Sequence, residues 1–204
     1  MERLPTDPQR KAESLGEIDP SDLPVYCRTP TLVLGVGNIL FGDDGFGCAV
    51  IDYVEAHYRV PETVCLLDAG TGVRKLLFTL CLSTARPERL LILDAIDAGR
   101  SPGEIFELDP TDIPPVKLDD FSMHQLPTSN LLRELQEACG VEVRVLACQT
   151  GPLPEEISQG LSKAVSGAVP QAAEWLVHEY LPRATASPVR NNFAAPCVHA
   201  GGVV

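Results

Sequence analysis

The sequence predicts an α/β chain: a three-layer sandwich on a mostly parallel, twisted five-stranded sheet with helices on both faces. Two observations carry that expectation. Short apolar runs of strand length alternate with segments whose apolar residues recur at helical spacing. The leading runs are apolar almost throughout, as strands covered on both faces are, and they end in glycine or aspartate.

Taken in order, residues 31–36 (Thr-Leu-Val-Leu-Gly-Val) read as a buried strand. From Gly45 to Tyr58, Phe46, Ala49, Val50, Tyr53, Val54 and His57 fall at helical spacing. Residues 63–67 give a second strand ending at Asp68, and 73–81 a short helix. Residues 90–93 give a third strand ending at Asp94. Residues 103–108 alternate apolar and polar, which suits an edge strand with one wet face. A loop rich in Pro and Asp runs to Phe121. Residues 129–139 form a helix with Leu131, Leu132 and Leu135 on one face and Gly140 as its C′ residue. Residues 141–148 are a fifth strand. A long closing helix, 162–181, carries Pro170, where a kink or restart is expected.

The chain has 204 residues, enough for one ordinary domain. Domain boundaries are expected at 29–183, between a flexible N-terminal extension (1–28) and a flexible C-terminal tail (184–204), because both ends lack apolar periodicity. With 45% hydrophobic and 22% charged residues, wholesale disorder is excluded. Sixteen basic against 28 acidic residues leave a formal charge of −12, which argues against nucleic-acid or anionic-membrane partners. No apolar run approaches the ~20 residues of a membrane span, and Met1–Thr29 has no apolar stretch of a secretory signal. The seven cysteines (27, 48, 65, 81, 139, 148 and 197) include no CxxC pair and mostly sit in apolar runs. They read as reduced core thiols of a cytoplasmic protein.

Functional groups of an open α/β sheet gather beyond the carboxyl ends of its strands. Three polar clusters should meet there: Gly35–Gly47, Asp68–Gly72 and Ser122–Gln125. The first is not a nucleotide loop. A dinucleotide fingerprint from Gly35 fails at Leu40, and a phosphate loop from Gly37 fails because Asp43 and Asp44 replace Lys and Ser/Thr. Two carboxylates at a helix N-terminus repel phosphate and suit a cation. Asp44, Asp68 and His124 are the candidate constellation, since two carboxylates and an imidazole suit a divalent transition metal. The residues alone leave other roles open: a helix cap for the first aspartate, a loop-ordering role for Asp68, a helix-entry role for His124.

Residues Leu32–Gly47 (Leu-Val-Leu-Gly-Val-Gly-Asn-Ile-Leu-Phe-Gly-Asp-Asp-Gly-Phe-Gly) resemble the opening signature of the nickel–iron hydrogenase maturation endopeptidases. Leu67–Thr71, Leu91–Asp97 and Met123–Leu126 are similar to that family's second acidic block, third strand and histidine block, in the same order over about residues 31–181. The resemblance implies an α/β sandwich and an endopeptidase that removes a C-terminal extension from a hydrogenase large-subunit precursor. It implies that nickel is carried by the precursor rather than held permanently. It also implies that Asp44, Asp68 and His124 meet that ion, with Asp44 where several relatives have Glu. A water activated by Asp44 or Asp68 is the expected nucleophile, because no G-x-S-x-G or H-E-x-x-H motif is present. A monomer is expected. Two other classes stay open: a non-catalytic nickel-sensing maturation chaperone, and a small-molecule hydrolase on a similar sandwich. Cys148-Gln149, at the end of the fifth strand, is expected to contribute to substrate choice.

Overall fold

The computed structural model describes residues 22–110 and 127–181. Its five strands are β1 (Thr31–Val36), β2 (Val64–Gly70), β3 (Arg89–Ile96), β4 (Ile105–Leu108) and β5 (Glu142–Gln149). They form one sheet in the order β2-β1-β3-β5-β4. All neighbours are parallel except β4, which runs antiparallel to β5 at the edge. The helices are α1 (Val25–Arg28), α2 (Phe46–His57), α3 (Val73–Leu82), α4 (Pro127–Glu137) and α5 (Lys163–Trp175). The expected sandwich is therefore present.

Strand alternation sorts the core into two layers. Val33, Leu66, Leu91, Leu93 and Leu146 pack under α2 and α5. Leu32, Leu34, Cys65, Leu67, Leu90, Ile92 and Val145 pack under α3 and α4. The crossover from β1 to β2 runs outward through α2, and the crossover from β2 to β3 returns over β1 through α3. Right-handed crossovers in opposite directions must use opposite faces. The reversal falls between β1 and β3, the topological switch point of the sheet, and in open α/β sheets the crevice lies beyond the carboxyl ends of the strands at that point.

The structure differs from the sequence reading in three places. Residues 25–28, assigned to the flexible extension, form a helical turn whose Cys27 is fully buried against the α3/α4 layer. Cys27 is joined there by the partly buried Leu23 and Tyr26, so this stretch carries enough apolar surface to dock on the core. Residues 1–21 of the expected extension and the whole expected tail, 184–204, lie outside the described residues. Second, β2 and β3 continue three residues past the aspartate-interrupted ends of their apolar runs, because parallel pairing is made by backbone groups: Asp94, Ala95 and Ile96 pair with Ala147, Cys148 and Gln149. Third, α5 runs through Pro170 without a restart, and leaves α geometry only at Leu176–Tyr180, a π-helical turn closed by Leu181 N–H donating to Leu176 O at 3.1 Å.

Pro170 is exposed and interior to α5, so it removes one helical hydrogen bond without a packing gain. Pro170→Ala should raise stability by ~1–2 kcal/mol, read as a higher urea midpoint at unchanged slope.

Candidate active site

The loop after β1 builds the crevice. At its start the β1–β2 register shifts between Gly35 and Val36. Gly37 follows with φ 124°, and its N–H donates to Gly70 O at 3.2 Å, which ties this loop to the end of β2. A Cβ at Gly37 would occupy the same space as Asp44 O, so no other residue fits there. The chain then turns through a 3₁₀ segment, Gly42–Gly45, directly into α2.

Asp43 and Asp44 both lie in that turn, and each is only 5% exposed. They do different things. Asp44 Oδ2 accepts from Asn38 N–H at 2.7 Å, inside its own loop, and makes no capping bond to α2. Asp43 reaches across the molecule. Its Oδ1 accepts from Ser162 N–H at 2.6 Å and its Oδ2 from Gly151 N–H at 3.3 Å. It thus pins both ends of the 151–162 segment, while Ser162 Oγ caps α5 by accepting from Val165 N–H. Asp43 is a structural clamp between distant segments, whereas Asp44 bonds within its own loop.

Asp68 is exposed on β2, and its Oδ1 accepts from Gly70 N–H at 2.9 Å, the loop-ordering bond that its sequence position allowed. The Cys48 thiol in the first turn of α2 lies beside it. Burial, then the Asp68 carboxylate, push that thiol far above its usual range, so it stays protonated. His124 lies outside the described residues.

Asp94, at the end of β3, was not among the sequence candidates. Its Oδ1 accepts from Ala95 N–H at 2.8 Å. Desolvation pushes its carboxyl up to about 7, and the charge of Asp44 adds to the rise. The charge of Asp44 reaches Asp94, so these two carboxylates are electrostatic neighbours; Asp68, on β2, meets Cys48 of α2, whose Sγ lies 3.9 Å from Gly37 O in the loop after β1. A carboxyl held partly protonated near neutral pH beside a second carboxylate suits a site that exchanges a proton for a cation. Among the described residues, no group of three or more His, Cys, Asp or Glu side chains is assembled for a metal ion.

A family model described as "Hydrogenase maturation protease" matches residues 48–179. The chain is 36% identical over 149 residues to a hydrogenase maturation protease assigned in Methanocaldococcus jannaschii, covering 72% of this chain and 94% of that one. This chain belongs to the hydrogenase maturation proteases. It is 31% identical over 146 residues to the hydrogenase 2 maturation protease of Escherichia coli, covering 70% of this chain and 85% of that one. The solved structure of the E. coli hydrogenase maturating endopeptidase superposes with a TM-score of 0.58 at 28% identity, over 74% of this chain and 91% of that one. The protein is accordingly a hydrolase of the endopeptidase type. That sets aside the non-catalytic chaperone and the small-molecule hydrolase.

In this maturation protease Cys148 and Gln149 face inward, contrary to the expectation that they select substrate. Cys148 is fully buried in the α2/α5 layer, and desolvation pushes its thiol up to about 11. Gln149 is 2% exposed with both ends of its amide engaged. Its Oε1 accepts from Ala98 and Arg100 N–H, and its Nε2 donates to Asp97 Oδ1 and Thr150 O. It fastens the β3–β4 turn to the end of β5. The six described cysteines are all thiols, as the sequence suggested; Cys197 lies outside the described residues. No helix among the described residues is long and apolar enough to cross a membrane.

Proposed function

We propose that this protease removes a C-terminal extension from the precursor of a hydrogenase large subunit after nickel has been inserted, acting in the cytoplasm as a monomer. The observation that carries the proposal is the neighbouring pair Asp44 and Asp94 at the switch point of a hydrogenase maturation protease fold. The nickel ion belongs to the precursor. Asp44 and His124 approach it from outside, with either Asp68 or Asp94 as the second carboxylate. Strand order favours Asp94, because β3 borders the crevice on the side where the chain reverses. Asp94 must give up its proton to bind a cation, so productive docking should weaken as the pH falls below about 7. Once docked, the ion fixes the scissile bond in place and polarises its carbonyl, and a carboxylate of the crevice takes a proton from the attacking water. The six cysteines among the described residues are free thiols, which supports a reducing compartment.

The test is incubation of purified precursor, prepared with and without nickel, followed by intact-mass spectrometry. The nickel-loaded chain should lose one C-terminal peptide and the empty chain should stay whole. Equal cleavage of both, or of neither, contradicts the proposal.

His124→Gln tests the imidazole. It should fold with a stability within about 1 kcal/mol of the parent and lose most nickel-dependent cleavage, because an amide is a poorer metal donor. A thermal melt and a cleavage time course on one preparation decide it.

A further inference from the structure

The six large apolar side chains exposed among the described residues fall into two groups. Val25, Phe78 and Leu82 lie on α1 and α3, away from the crevice. Ile39 (59% exposed), Leu153 (46%) and Ile157 (69%) lie on two segments that the backbone joins. Ser158 N–H donates to Leu40 O at 2.9 Å, and Gly42 N–H donates to Ser158 O at 2.7 Å, around a parallel bridge between Phe41 and Ser158. Pro154 covers Gly42 closely enough that a Cβ there would lie 3.3 Å from Pro154 Cδ. Scattered exposed apolar residues need no explanation, but three on one bonded ribbon do.

That ribbon is continuous with the crevice. Residues 39–42 belong to the loop that carries Asp44, and Gly45 packs against the Ile39 backbone. Asp43, adjacent to Asp44, clamps both ends of the 151–162 segment. Glu155 and Glu156, both exposed, sit between the two apolar side chains of that segment. The surface therefore offers apolar contact and a local negative charge beside the crevice.

We infer that residues 39–42 and 151–160 form a docking lip for the precursor, and that it takes a segment in which apolar side chains are accompanied by basic ones. Ile39, Leu153 and Ile157 supply the apolar contact, and Glu155 and Glu156 attract the basic side chains and repel acidic competitors. The inference rests on the precursor-processing reading above and adds the chemistry of what is recognised. Asp43 is a positioning residue in this scheme, since it fixes the lip relative to Asp44.

The experiment compares the full chain with Leu153→Asp, Ile157→Asp and the double variant Glu155→Lys/Glu156→Lys, using nickel-loaded precursor immobilised on a sensor surface. All four positions are exposed, so folding should persist, and a thermal melt checks it; Ile157→Ser replaces Ile157→Asp if that variant does not fold. Each apolar-to-Asp variant should weaken Kd by about tenfold or more, and raise KM in proportion while kcat stays within about twofold. The Lys variant should weaken binding and flatten its dependence on salt. Affinities within about twofold of the parent for every variant would overturn the inference. So would sedimentation showing a dimer of this chain that Ile157→Asp dissociates, because the patch would then be a self-contact. The two proposals fail separately: precursor that binds through the lip but is never cleaved defeats the processing reading, and precursor cleaved equally by all variants defeats the lip.

Discussion

Gly47→Ala should cost at least about 4 kcal/mol in urea denaturation, or leave no soluble protein. Gly47 is the second residue of α2, where the helix start is laid across the strand ends. A Cβ there would lie 2.5 Å from both Val36 N and Val36 O, and closer still to Leu93 O. All three are backbone atoms of β1 and β3, so no side chain can move aside. The helix must lift from the sheet, which separates α2 from Leu91 and Leu93 below it and tilts the turn holding Asp44. Gly167→Ala is the control. It lies in α5 with open space around a new Cβ, and should gain ~0.5–1 kcal/mol from helix propensity alone. A cost below about 1 kcal/mol for Gly47→Ala would mean that the close approach of α2 to the strand ends is not as described.

Asp94→Asn should move stability and activity in opposite directions. The Asp94 carboxyl titrates at about 7 in the folded chain against a reference of 3.8. Below about pH 4 it is neutral in both states and contributes no difference. Between about 4 and about 7 the unfolded chain ionises first, so the native state binds more protons and stability falls as the pH rises. Above about 7 the whole penalty stands. Asparagine cannot ionise, so the variant should be more stable than the parent by roughly 1–3 kcal/mol at pH 8. The gain should be smaller at pH 5 and should vanish near the reference value. Nickel-dependent cleavage should fall at least about 100-fold, because the crevice loses a carboxylate that can bind a cation. Asp68→Asn should have the weaker effect on cleavage, since that side chain stands across β1 and orders the turn at Gly70. The reverse ranking would return the second carboxylate to Asp68.

The strands were readable because burial on both faces writes itself into consecutive apolar residues, as in Leu32–Leu34 and Leu90–Leu93. Their polar ends were not, because the pairing of Asp94 with Ala147 is a backbone event without a local side-chain pattern. Asp44 could be picked out by its glycine loop. Its electrostatic neighbour Asp94 could not, since the strand order that sets β3 beside β1 is a matter of crossover direction and has no local side-chain pattern. Asp43 illustrates the same point. In sequence it is an equal competitor of Asp44, and what separates them is a pair of hydrogen bonds to residues 108 and 119 positions away. Gln149 was misjudged for a related reason. A polar residue at a strand end suggests contact with solvent or substrate, but its four partners are distant in sequence or lie on the backbone beside it.

In the proposed function, the carboxylates at the switch point between β1 and β3 are the protein's own contribution to meeting a nickel ion. The direct measurement is a titration of the isotope-labelled full chain with Ni²⁺ alone, followed by amide NMR, in which paramagnetic broadening marks the residues closest to the ion. Asn38, Asp44 and Ala95 should broaden first, and the pattern should weaken as the pH is lowered through about 7. Broadening centred on Asp68–Gly70 with Ala95 unaffected, or centred away from the strand ends altogether, would contradict it.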